Sequence, residues 1–126
     1  MSMRHWAKVS NPSRNCEDNL TESHQYFQNL PQEVGVIQPD SILSKALTTT
    51  DKVKVTIFGF APGQELTEHT AAYPAILHFL AGEADLTLGK DSFKATAGSW
   101  AYMPALTPHS LVAKTPVTML LIMIVA

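Results

Sequence analysis

Residues 75–89 read AILHFLAGEADLTLG, and the fold turns on how that stretch divides. Two short apolar runs flank Ala81-Gly82-Glu83, so the stretch reads as two strands around a break. In the first run, alternation sets His78 beside Ile76 and Leu80, with Leu77 and Phe79 on the opposite face. Working outward, the same texture recurs. KVKVTIFGF (52–60) alternates at Val53, Val55 and Ile57, the period of a half-buried strand. APGQ (61–64) supplies a turn before it resumes, and LGKDS (88–92) supplies another. FKATAGSWAYMPALTPHSLVA (93–113) repeats the scheme with breaks at Gly98, Pro104 and Pro108, and TPVTMLLIMIVA (115–126) ends the chain as a buried strand. Turn signals arrive roughly every eight to twelve residues and leave no room for crossover helices, so an all-β sandwich or barrel is expected.

The chain has 126 residues, the length of one domain with a real core. A hydrophobic share of 45% with 16% charged residues excludes a disordered chain. A formal charge of −2 supplies no field for nucleic acid or an anionic membrane, and neither partner is expected. The start, MSMRHWAKVS, carries no apolar signal core, and the last apolar run is far below the roughly 20 residues of a bilayer span. A cytoplasmic location is therefore the expectation, and the Asn19-Leu20-Thr21 sequon carries little weight. The one cysteine, Cys16, excludes an internal disulfide and reads as a free thiol.

Residues 1–33 form a polar N-terminal arm, and 34–126 the barrel domain. Within the arm, which is expected to be partly ordered, TESHQYFQNL (21–30) has the pattern of a short helix capped by Thr21 and stopped before Pro31; the alternatives are an arm lying on the domain and a partially ordered tail. Of the five histidines, His5 and His24 fall in this arm. His69 and His109 each follow a turn and stand on a strand. Strand alternation would put Thr67, His69 and Ala71 on one face, and His109, Leu111 and Ala113 on one face. If both faces point into a barrel, two imidazoles converge from different strands. His78, inside an apolar run, is either hydrogen-bonded to a neighbouring strand or subunit or part of a pocket.

These residues give the chain its resemblance to the cupin family, whose first motif is written G(X)5HXH(X)3–4E(X)6G. Gly63, His69 and Gly82 fit that frame, with Ala71 at the place of the second histidine and Ala75 at the place of the glutamate. In the second motif, G(X)5PXG(X)2H(X)3N, Gly98, Pro104 and His109 fit, while Leu106 stands for the glycine and Ala113 for the asparagine. EHTAAYPA (68–75) and LAGEADLTLGK (80–90) are similar to stretches of small single-domain cupins. The resemblance covers about Ser41 to Val125. It implies a double-stranded β-helix, or jelly-roll, barrel.

The family's metal site uses both motif-one histidines, the glutamate and the motif-two histidine, so only His69 and His109 carry over. One divalent metal (Zn, Ni, Fe or Mn) would need His78 as a third ligand, and a local bulge to turn it inward. Alanines at two ligand places leave a drier, wider barrel mouth. A small organic molecule is the expected partner, with His69, His109, Thr67, Tyr73 and Tyr102 as binding residues and Phe58, Phe60, Phe79 and Trp100 as nearby core aromatics. Catalytic residues are not identified. The alternatives are a metal-dependent isomerase, lyase or oxygenase on His69 and His109, and a non-catalytic scaffold. A homodimer through MLLIMIVA (119–126) and an outward His78 or Trp100 is also expected.

Overall fold

Alternating apolar strands with one buried face must close on a second sheet, and this chain does so. The computed structural model describes residues 20–126; His5, Cys16 and the asparagine of the sequon lie outside them. The described residues form nine strands: β1 (Ile42–Thr49), β2 (Val53–Phe60), β3 (Glu65–His69), β4 (Ala75–Ala81), β5 (Ala84–Leu88), β6 (Asp91–Ala95), β7 (Trp100–Met103), β8 (His109–Ala113) and β9 (Val117–Ile124). They make a five-stranded sheet, ordered β1-β2-β9-β4-β7, and a four-stranded sheet, ordered β3-β8-β5-β6. Every ladder in the two sheets is antiparallel. This is the jelly-roll barrel expected from the sequence.

The inner faces supply one core. Phe60, Leu77, Phe79, Val117 and Met119 from the larger sheet meet Ala84, Leu86, Leu111 and Ala113 from the smaller. The break at Gly82 is where the chain passes from one sheet to the other, and the β8–β9 loop clasps it. Lys114 N–H donates to Glu83 O (2.8 Å), and Glu83 N–H donates to Thr115 Oγ1 (2.9 Å).

The outer face of the larger sheet holds a second apolar cluster, unforeseen in the sequence. Leu47, Ile57 and Leu120 are buried there under Phe27, Leu30 and Val34. Strand β2 is thus covered on both faces, with Phe58 and Phe60 inside and Val55 and Ile57 beneath the arm. The helix expected over 21–30 does not form. Thr21 N–H donates to Thr49 O (2.6 Å), Thr49 N–H returns a bond to Thr21 Oγ1 (3.0 Å), and Gln25 Nε2 donates to Leu47 O (2.8 Å). The hydroxyl that would cap a helix is spent on β1, an edge strand whose free backbone groups are thereby covered. Only one 3-10 turn (Leu30–Glu33) follows, with Pro31 in its first turn.

Leu106, at the place of a motif glycine, has φ 67°. Its N–H donates to Ala71 O (2.8 Å), which holds the β7–β8 loop against the β3–β4 loop. A branched side chain in the left-handed region costs about 1 kcal/mol, and this one is 67% exposed, so little packing offsets the strain. Leu106→Gly is therefore expected to leave stability unchanged or raise it by up to about 1 kcal/mol, against the usual loss for Leu→Gly. Thermal unfolding checks this: a melting temperature lowered by more than about 3 °C would mean Leu106 contributes packing that outweighs its backbone.

Candidate functional site

The site begins with an irregularity in β3. Leu66 pairs with Leu111 and His69 with His109, so three residue steps on β3 match two on β8. One extra residue therefore sits between Leu66 and His69 and reverses the alternation there. His69 consequently shares the inward face of Leu66, rather than the face of Thr67 that unbroken alternation would give. The shift brings His69 opposite His109, and their ring centroids lie 4.1 Å apart with planes inclined at 57°. His69 is exposed at the rim and His109 half-buried behind it.

Both rings are held the same way. His69 Nδ1 lies 2.7 Å from Thr67 O, and His109 Nδ1 lies 2.9 Å from Thr107 O. A carbonyl can only accept, so each Nδ1 is the protonated nitrogen and each Nε2 carries the lone pair in the neutral ring. Thr67, expected in the pocket, acts here through its backbone carbonyl. The sequence does carry a signal for this arrangement: Thr67-Glu68-His69 and Thr107-Pro108-His109 repeat Thr-X-His in both halves.

A cavity of about 200 Å³ opens beside the two imidazoles. Its walls come from both sheets: Phe58, Leu77, Met119 and Leu121 from the larger, Leu66, Leu86 and Leu111 from the smaller. Ser110 is the remaining residue at its wall, and no aspartate, glutamate, lysine or arginine lines it. Phe58, which also stacks on Phe60 at 5.9 Å, is the aromatic member of this wall.

The other expected site residues go elsewhere. Tyr73 does not line this cavity, and Tyr102 lines a separate cleft of about 460 Å³ between edge strands β6 and β7, with Phe93 and Trp100. Trp100 is 60% exposed and is not core. His78, the expected third metal ligand, faces outward. It pairs with Trp100 on one side and Leu120 on the other, and the β4–β9 register runs unbroken from Ala75 to Phe79. The irregularity in β4 comes after Phe79, so nothing turns His78 toward the cavity. Ala75, at the glutamate's place, is buried on the inward face.

A resident divalent ion does not fit this donor set. His69 and His109 would offer two neutral nitrogens and no anionic ligand, where a protein site ordinarily uses three or four protein ligands. Among the described residues no group of three or more histidine, cysteine, aspartate or glutamate side chains is arranged to hold a metal. No helix is long and apolar enough to cross a membrane among them either.

With this geometry in hand, likeness to known proteins is informative. The family model described as "Cupin domain" matches residues 56–125. A conserved protein of unknown function from Streptococcus pyogenes is similar at 31% identity over 82% of this chain and 90% of its own, with a TM-score of 0.72. A cupin 2 conserved barrel domain protein from Leptotrichia buccalis is 32% identical over 73% of this chain and 45% of its own, with a TM-score of 0.68. A cupin superfamily protein from Desulfitobacterium hafniense shares the fold at 23% identity, covering 86% of this chain and 96% of its own, with a TM-score of 0.71. No curated protein matches significantly.

Proposed function

This chain belongs to the cupin family, and on that premise we propose that it binds a small organic molecule in the barrel cavity beside His69 and His109. The observation that carries the reading is the pairing of an apolar interior space with two imidazoles fixed by their own backbone. An apolar cavity with a few oriented polar groups is the usual make-up of a small-molecule site. At about 200 Å³ the space is below the roughly 300–1,000 Å³ of drug-sized ligand pockets, so the guest is small. A metal-dependent reaction on the same pair would leave the ion with two neutral protein ligands and is the weaker reading. The test is a thermal-shift screen of small metabolites on the full chain, repeated on His109→Leu. A ligand that binds the folded state at one hundred times its Kd adds about 2.7 kcal/mol, an easily read rise. The reading fails if no compound shifts the wild type, or if shifts persist unchanged in His109→Leu.

A second, compatible reading is a homodimer. Ile76, His78, Trp100, Tyr102 and Ile122 share the outward face of the larger sheet by register, next to the patch that the arm covers. Trp100 and Tyr102 are 60% and 49% exposed. Exposed aromatics beside apolar residues are what a self-complementary interface uses. Light scattering at micromolar concentration is expected to give twice the chain mass, and Trp100→Glu to give one chain mass. A wild-type monomer would overturn this reading.

A further inference from the structure

We infer that the cavity selects a neutral molecule with an apolar body and a polar end that donates two hydrogen bonds, such as a primary carboxamide or a vicinal diol. This rests on the cavity being the binding site. Because Thr67 O and Thr107 O each accept from an Nδ1, both neutral rings offer acceptors only at Nε2. Among the described residues, no hydrogen bond or ion pair engages either Nε2.

Two acceptors on rings whose centroids lie 4.1 Å apart favour a guest that brings donors and disfavour one that brings only oxygen lone pairs. A ketone or ester leaves both nitrogens unpaired, and a carboxylate sets acceptor against acceptor. A charged ammonium would donate well. No acidic side chain lines the cavity to offset its charge, however, and burying an uncompensated ion is costly. A neutral paired donor satisfies both rings without adding charge. An apolar cavity of about 150 Å³ takes one benzene, so about 200 Å³ suits a guest of up to roughly eight non-hydrogen atoms.

The experiment measures Kd at pH 8, where free imidazole is neutral, by ligand-observed NMR on the full chain. The probes are 3-methylbutanamide, butane-1,2-diol, 4-methylpentan-2-one and 3-methylbutanoate. The amide or the diol is expected to bind at least about tenfold tighter than the ketone and the carboxylate, since an acceptor that the guest desolvates without pairing costs about that much. Which of the two binds tighter tells whether nitrogen or oxygen carries the donors. His69→Leu and His109→Leu are expected to reduce the preference below about threefold, because one acceptor is gone while the apolar walls remain. His69→Leu is at an exposed rim position, so it reports even if His109→Leu folds poorly.

A ketone or carboxylate binding as tightly as the amide and diol overturns the donor inference and leaves the cavity reading standing. Failure of all four to bind overturns the donor inference, while the metabolite screen decides the cavity reading. Long-range proton–nitrogen spectra of the imidazoles give an independent check: both rings are expected in the Nδ1–H form, and a dominant Nε2–H form in either would overturn the inference without any ligand.

Discussion

Gly82→Ala is expected to cost the barrel about 3–4 kcal/mol, which for a chain of this size lowers the melting temperature by roughly 10–15 °C. Two causes add. Gly82 has φ 89°, where a side chain is strained, and a Cβ there would lie 2.0 Å from Pro116 O and 2.9 Å from Val117 Cα. Those atoms are backbone, so no rotamer change relieves the clash. The loop that carries them is bonded to Glu83 through Lys114 and Thr115, and pushing it away breaks those bonds as well. Gly89→Ala is the control: its φ is 60° but nothing lies within 4 Å of the added carbon, so only the backbone term, about 1 kcal/mol, should be lost. Urea or thermal unfolding of both variants decides the point. Equal losses would mean that backbone strain alone, and not the crossing loop, makes glycine necessary at 82.

The second large effect concerns metal uptake. Wild-type protein incubated with excess Zn or Ni and then dialysed is expected to keep less than about a tenth of an ion per chain, because two neutral imidazoles hold a divalent ion weakly. The double variant Ala71→His, Ala75→Glu restores the ligand types that the family motif has at those places, and is expected to retain close to one ion per chain. Ala75 is on the inward face of β4, two residues from Leu77 in the cavity wall. A carboxylate at so buried a position should destabilise the metal-free variant by several kcal/mol, and added metal should restore the loss. Elemental analysis and melting curves with and without metal read both effects. A double variant that folds and still takes up no ion would show that Ala71 and Ala75 do not occupy ligand places.

Which parts of this could be read from residue order follows from what strand alternation can and cannot encode. The stretch 75–89 gave β4 and β5 with His78 opposite Leu77 and Phe79, because an unbroken strand obeys its period of two. The same rule misplaced Thr67, because it has no term for an inserted residue. Only the pairing of Leu66 with Leu111 and His69 with His109 reveals the extra step. The helix reading of 21–30 failed for a different reason. TESHQYFQNL has helix-cap chemistry at Thr21, but the open edge of β1 competes for the same hydroxyl and wins. That competition is long-range, 28 residues apart along the chain, and local propensity cannot register it. Leu106 was visible as a departure from the family's glycine; its positive φ gives the departure a physical cost. The cleft between β6 and β7 had no signal, since it lies between the edge strands of two different sheets.

The extra residue in β3 also bears on how such chains diversify. Loss of one codon at Glu68 would remove the extra step and still leave His69 opposite His109, two positions from Leu66 on the same inward face. The cavity would then keep both imidazoles and every residue of its hydrocarbon wall. The pairing of the two imidazoles is thus indifferent to this one codon, so the spot can lose it while the histidines keep their places.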